Sequence, residues 1–182
     1  KDERIVMEAL LDKQNATHPD VIIFVADATN LRRSLLLYTQ VADLKIPIII
    51  ALNMMDLANK SGIEIAVDML SHKLGVQVIP ISASHGQGID HLKQAIQYTS
   101  EIPVQSDTIQ VKELAPGLVE KIAEEMNIHE PYSALQLAHQ YDQLNFVSSE
   151  DRDRIRAIEE TLSFHSQKVQ AAEIIARYNF IN

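Results

Sequence analysis

Residues 46–56 read IPIIIALNMMD, an apolar β-branched run that ends directly in Asn-x-x-Asp. Such a run suits a central parallel strand covered on both faces, and Pro47 is tolerated because it stands among the first residues of the strand. A strand ending in Asn53 and Asp56 carries the residue types that read a guanine base. The Asp carboxylate accepts hydrogen bonds from the ring N–H and the exocyclic amine together, a donor pair that adenine does not supply. Downstream, residues 76–81 (VQVIPI) run into Ser82-Ala83-Ser84, where a backbone N–H can meet the guanine carbonyl. Taken singly the Ser-Ala-Ser turn is a weak signal. Its weight comes from following Asn53 and Asp56 in that order.

A phosphate cradle is not part of this pattern. The sequence has 5 glycines, the first of them Gly62, and no G-x-x-x-x-G-K-[ST] string, in which glycines let backbone N–H groups close around a phosphate. The chain as given therefore reads as the back half of a GTPase domain followed by a further unit. On this reading it does not hold a nucleoside triphosphate well by itself.

Composition is that of a folded protein, with 46% hydrophobic and 23% charged residues over 182 positions. Cysteine is absent, which removes disulfides and thiolate metal sites. Apolar runs fall short of the roughly 20 residues a membrane-crossing helix needs, and no signal segment opens the chain. Charge is uneven: residues 1–98 carry 9 basic and 11 acidic side chains, whereas residues 99–182 carry 7 and 14. An acidic surface of this kind opposes phosphate backbones, so nucleic acid is not an expected partner.

The first half alternates helix and strand. Helical spacing covers residues 1–13, a β-branched run covers 21–26, and helices are expected over about 31–44, 62–74 and 88–98. Strands alternating with helices imply a doubly wound parallel sheet. Ligands of such sheets sit beyond the carboxyl ends of the strands, where Asp27, Asn53 and Ser82 all fall. Asp27 there reads more readily as a turn and helix cap than as a nucleotide contact. The second half shows only helical patterning, at about 110–126, 132–143, 149–164 and 166–178, with Pro116-Gly117 interrupting the first stretch. The expected fold is α/β: a partial P-loop GTPase-like doubly wound parallel sheet followed by a small all-α helical domain. Its divisions are 1–98 for the C-terminal part of a G domain lacking the P-loop and switch regions, 99–108 for a linker, and 109–182 for the helical domain.

At the level of motifs the chain resembles the cytoplasmic part of FeoB, the ferrous iron transport protein B family. The resemblance rests on residues 25–31 (VADATNL), 51–56 (ALNMMD), 74–78 (LGVQV) and 82–89 (SASHGQGI), and near the C-terminus on 173–178 (EIIARY). Outside its last helix the helical half is only loosely similar. Related GTPases mostly place Lys at the position of Met54, whereas this family commonly has Met, whose thioether still packs on a ring. The resemblance implies a nucleotide-binding set of Asn53, Met54, Asp56, Ser82, Ala83 and Ser84. It implies GTP or GDP as ligand, bound here at the guanine end only, with Mg2+ held in the intact protein by residues absent from this chain. Catalytic residues are not assigned, so the chain alone is not expected to hydrolyse GTP. The implied partner is a permease domain of the same polypeptide, at the cytoplasmic face of the bacterial inner membrane. A sheet edge left without its upstream strands also favours a homo-oligomer.

Two alternatives stand beside this reading. One is a soluble GTPase of the same superfamily acting in ribosome assembly or tRNA modification. The other is a non-catalytic interaction domain that keeps the fold and has lost nucleotide binding. The 7 histidines give no His-x-x-x-His pair on one helix face and are read as ordinary surface residues, so no metal site is expected. Arg177 and Tyr178 are expected to tether the last helix, the first by an ion pair and the second by packing.

Overall fold

A computed structural model describes residues 2–98 and 104–182, so residues 99–103 of the expected linker lie outside the described residues. Two compact units result. The sheet unit holds β1 (Ile22–Asp27), α2 (Leu31–Ala42), β2 (Ile48–Asn53), α3 (Met55–Lys60), α4 (Val67–Leu74), β3 (Gln77–Pro80) and α5 (Ile89–Gln97). The helical unit gathers α1 (Asp2–Leu11) with α6 (Val111–Leu114), α7 (Leu118–Glu125), α8 (Pro131–Gln140), α9 (Ser149–Thr161) and α10 (Ser166–Ile181).

The strands lie in the order β1-β2-β3, all parallel. Both neighbours pair with β2, and Ile48 to Leu52 are buried without exception. Alternation along a strand sends consecutive side chains to opposite faces. Ile48, Ile50 and Leu52 therefore join Phe24, Leu35, Tyr38 and Val78 in one core, while Ile49 and Ala51 join Ile79, Ile81 and Ala95 in the other. Helices α2 and α4 supply the first face and α5 the second. An apolar run with no polar alternation is what this double coverage requires. The outer edge of β1 pairs with no other strand among the described residues, and its Val25 is 61% exposed.

One expected element divides differently. The stretch read as a helix over about 62–74 is helical only from Val67, and a separate short helix, α3, starts immediately after the β2 motif. Gly62 at φ +71 follows the end of α3, a left-handed conformation that stops a helix. Residues 110–126 split into α6 and α7 around Ala115-Pro116-Gly117, since Pro cannot continue a helical ladder.

In the helical unit the largest fully buried side chain is an arginine. Arg177 Nε donates to Glu173 Oε1 at 2.8 Å, and Nη1 donates to Thr108 Oγ1 at 3.0 Å. Tyr132 Oη donates to the same Glu173 oxygen at 2.8 Å, and the guanidinium lies 4.6 Å from the Tyr132 ring centroid. Burial raises the Tyr132 hydroxyl pKa well above the usual phenol range. The expected ion pair at Arg177 is present, but Tyr178 is exposed, so the burial that anchors α10 falls on the arginine. His139 also departs from the surface reading. It is partly buried, its Nδ1 lies 2.7 Å from Ser166 Oγ, and its ring stands 5.4 Å from that of Phe164. Burial lowers its pKa, favouring the neutral ring. Among the described residues no helix is long and apolar enough to cross a membrane.

Candidate functional site

The parallel register aligns the carboxyl ends of the strands, with Asp27 opposite Asn53 and Leu52 opposite Pro80. Beyond these ends the backbone turns sharply. Met54 takes φ +64, and this one left-handed residue lets α3 begin at Met55, directly after the strand. The turn separates the two methionines. Met55 packs on the core beneath α3, whereas Met54 is 40% exposed above the strand ends. Asp56 falls in the first turn of α3, where the unpaired backbone N–H groups favour a negative charge.

Two backbone bonds tie the start of α3 to the end of β3: Ile81 N donates to Leu52 O at 2.8 Å and Met55 N donates to Ile81 O at 3.3 Å. Residues 82–87 then close on themselves. Ser82 N donates to Gln87 O, Gln87 N donates to Ser82 O and His85 N donates to Ser82 O, each at 3.1 Å. Gly88 at φ +76 packs against the strand so tightly that an added Cβ would lie 2.3 Å from Pro80 O. Only glycine fits there without moving backbone.

The side chains converge across this junction. Ser82, 1% exposed, donates its hydroxyl to Asp56 Oδ1 at 2.8 Å. Asn53 Oδ1 accepts from the Ala83 N–H at 3.1 Å. Ser84 Oγ stands 3.5 Å from Ser82 Oγ, and both hydroxyls lie 3.0 Å from His85 Nδ1. His85 Nδ1 is also 3.5 Å from Asp56 Oδ2. The Ser82 hydrogen bond, aided by backbone N–H groups and the His85 ring, holds the Asp56 carboxyl below the usual carboxylate range. It is an ionised acceptor near neutral pH, and its oxygens have lone pairs beyond the one facing Ser82.

All six residues singled out from the sequence, Asn53, Met54, Asp56, Ser82, Ala83 and Ser84, thus meet at one end of the sheet. The Ala83 N–H offered to a guanine carbonyl is bonded to Asn53 Oδ1, so a ligand carbonyl has to share or displace that bond. Asp27, at the same end, is turned to its own chain. Its Oδ1 accepts from Thr29 N at 2.8 Å and from Thr29 Oγ1 at 2.7 Å, and its N–H bonds Ser34 Oγ at 2.9 Å. Asp27 fixes the turn as expected, but what it caps is the short 3-10 segment Ala28–Asn30; the helix from Leu31, which it was expected to cap, has Asn30 as its N-cap residue.

Two participants escaped the sequence reading. His85 was grouped with scattered surface histidines, yet it is packed among three site side chains. Its signal was its place three residues after Ser82 on a tight turn. Gly88 stands in the sequence only as the start of the helix expected over about 88–98, whereas in the structure it is where the turn backbone meets the end of β3.

Comparison with known proteins places the same region. The family model described as ferrous iron transport protein B matches residues 1–96. The Fe(2+) transporter FeoB of Escherichia coli (strain K12) is 46% identical over 98 residues, which are 50% of this chain and 13% of that protein. The chain therefore spans only a small part of the curated relatives it matches. The cytosolic domain of L. pneumophila FeoB is similar in structure, with a TM-score of 0.77 and 28% identity over 99% of this chain and 70% of that one. The mGMPPNP-bound NFeoB of S. thermophilus is similar with a TM-score of 0.65 and 31% identity, covering 98% and 70%.

Proposed function

The chain belongs to the ferrous iron transport protein B family, and from that premise we propose that its sheet unit supplies the guanine-reading end of a GTP-binding domain. Asn53, Met54, Asp56, Ser82, Ala83 and Ser84 are the proposed nucleotide contacts. The observation that carries this reading is the ionised Asp56 carboxylate, oriented by buried Ser82 next to Asn53 and Ala83. Two acceptor oxygens there match the two donors on the Watson–Crick edge of guanine. Exposed Met54 offers an apolar wall beside them. The residues present fit the base of GTP or GDP. Phosphate and Mg2+ binding, and with them hydrolysis, fall to residues outside this chain, where Mg2+ would neutralise developing phosphate charge.

In the whole protein, this segment serves an importer of ferrous iron at the cytoplasmic face of the bacterial inner membrane. Residues 1–98 act as the C-terminal part of the G domain, and the family model's match over 1–96 supports that division, although α1 clusters with the helical unit. Residues 109–182, joined through 99–108, form the helical domain that passes nucleotide state to the permease. Coupling of that kind requires an element with two arrangements that both sites bias. The exposed edge of β1 is compatible with assembly into a homo-oligomer.

The test is Asp56→Asn in the longer protein that carries this chain together with its phosphate-binding segment. Losing two charge-assisted bonds, each worth about 1.5–3 kcal/mol, weakens GDP binding by about 100-fold or more. An Asn amide donates to the extra carbonyl of xanthine, so xanthosine diphosphate gains relative affinity. Unchanged guanine selectivity in a competition titration would overturn the assignment.

A further inference from the structure

Proton accounting around Asp56 gives His85 a defined state. The ionised Asp56 carboxylate can only accept, so the single hydroxyl hydrogen of Ser82 points at Oδ1, 2.8 Å away. Ser82 Oγ can then only accept from His85 Nδ1 at 3.0 Å. Nδ1 therefore carries a hydrogen in the neutral ring. It is shared with Ser84 Oγ at 3.0 Å and directed towards Asp56 Oδ2 at 3.5 Å. The second proton of an imidazolium must enter at Nε2, on a side chain that is 55% exposed. The hydrogen-bond pattern is the same in both charge states, and only the charge facing Asp56 changes. Among the described residues, Asp56 of α3 is the charged group that faces His85. Its other neighbours are the hydroxyls of Ser82, at the end of β3, and Ser84, on the same turn.

We propose that His85 is a positioning residue for the base site: it orients Asp56 through Ser82 for a guanine nucleotide and, when doubly protonated, competes for that carboxylate and hastens nucleotide release. The inference rests on the base-reading assignment of Asp56. Gain of a second ring proton is open to histidine and closed to an alanine or asparagine in its place, so the test varies pH.

Release of a fluorescent GDP analogue from the longer protein that carries this chain, followed by stopped flow between about pH 5.5 and about pH 8.5, tests the proposal. The wild-type off-rate is expected to rise by about threefold towards acid, the scale of a partly exposed ion pair. His85→Ala releases nucleotide about fivefold faster at the alkaline end, as loss of one hydrogen bond implies, and its rate does not vary with pH. His85→Asn places an amide N–H near the Nδ1 position without a titrating group. It is expected to keep the slow alkaline rate within about twofold and to lose the pH response, a rescue that mere loss of folding would not give. A His85→Ala profile that follows wild type overturns the proposal. Imidazole 15N spectra of the present chain read the relay without nucleotide: an Nδ1–H tautomer supports it and an Nε2–H tautomer overturns it. Asp56→Asn serves as the control. Unchanged guanine selectivity there overturns the base-reading assignment and this inference together, whereas altered selectivity with pH-independent wild-type release overturns this inference alone.

Discussion

Replacing Gly88 by Ala isolates the contact that seals the 82–87 turn against β3. At φ +76 any L-residue meets a backbone penalty of about 1 kcal/mol. The new Cβ would also stand 2.3 Å from Pro80 O, 3.0 Å from Ile81 Cγ2 and 3.2 Å from Ile81 Cα. Two of these three atoms are backbone, so no flexible side chain can yield. Reaching even the 3.0 Å limit for real Cβ contacts requires a displacement of about 0.7 Å between strand and turn. That movement strains the Ile81 N–H bond to Leu52 O and the Met55 N–H bond to Ile81 O, each worth about 1 kcal/mol. The sum is about 3 kcal/mol. Gly86→Ala is the matched control, because φ is +69 there and an added Cβ meets nothing within 4 Å; it costs only the backbone penalty of about 1 kcal/mol. The difference of about 2 kcal/mol corresponds to a roughly 30-fold change in the local opening constant. A chain of two compact units need not unfold in one step, so amide exchange at Ser82 and Gln87 is the appropriate measurement. Both amides close the turn. Equal acceleration by the two alanines would refute the close-approach argument.

The buried cluster of the helical unit gives a second expectation. Arg177→Met leaves the Glu173 carboxylate buried beside the Tyr132 hydroxyl and destabilises that unit by about 3–5 kcal/mol. The double variant with Glu173→Leu recovers part of the loss, since an apolar pair carries no desolvation cost while the buried Tyr132 hydroxyl is left without its acceptor. Urea unfolding followed by circular dichroism reads both, and a single-variant cost under about 1 kcal/mol would refute the role given to the pair. A third expectation concerns pH at Asp27, whose carboxyl is held below its ordinary value of 3.8 chiefly by the Thr29 hydroxyl. Because the folded pKa is the lower one, its contribution to stability is complete above the unfolded value and disappears as pH falls through the folded value. Thr29→Val should move the Asp27 titration upwards towards 3.8 in carboxyl 13C spectra. An unmoved midpoint would show that the hydroxyl is not the cause.

The run from Ile46 to Asp56 made both the sheet and the site legible, because one physical demand served both. A strand covered on two faces must be apolar throughout, so the first polar residues beyond it mark the ligand end of the sheet. Ser82 could be paired with that end because residues 76–81 form a second, largely apolar strand that runs into it, although β3 stands at the end of the strand order and exposes Gln77 and Pro80. Periodicity failed where local conformation decided the outcome. Met54 adopts a left-handed turn that no propensity favours for methionine, and it starts α3, a helix not among those expected from the sequence. His85 was invisible as a site residue because its role depends on where a turn of six residues places one ring nitrogen. The sequence marks Arg177 as an ion-pairing tether, and only the packing of α8 and α10 shows that its side chain is fully buried.

The sequence alone determined the parallel α/β character, the helical second half, and the chemistry of the residues at the strand ends, because apolar patterning and side-chain functional groups are local properties. The tertiary structure alone decided which donor faces which acceptor. Asp56 receives the hydroxyl hydrogen of Ser82, Asn53 takes the Ala83 N–H, and His85 stands behind both serines. Hydrogen bonds depend on distances of a few tenths of an ångström between residues up to 30 positions apart, and only the folded chain fixes those distances.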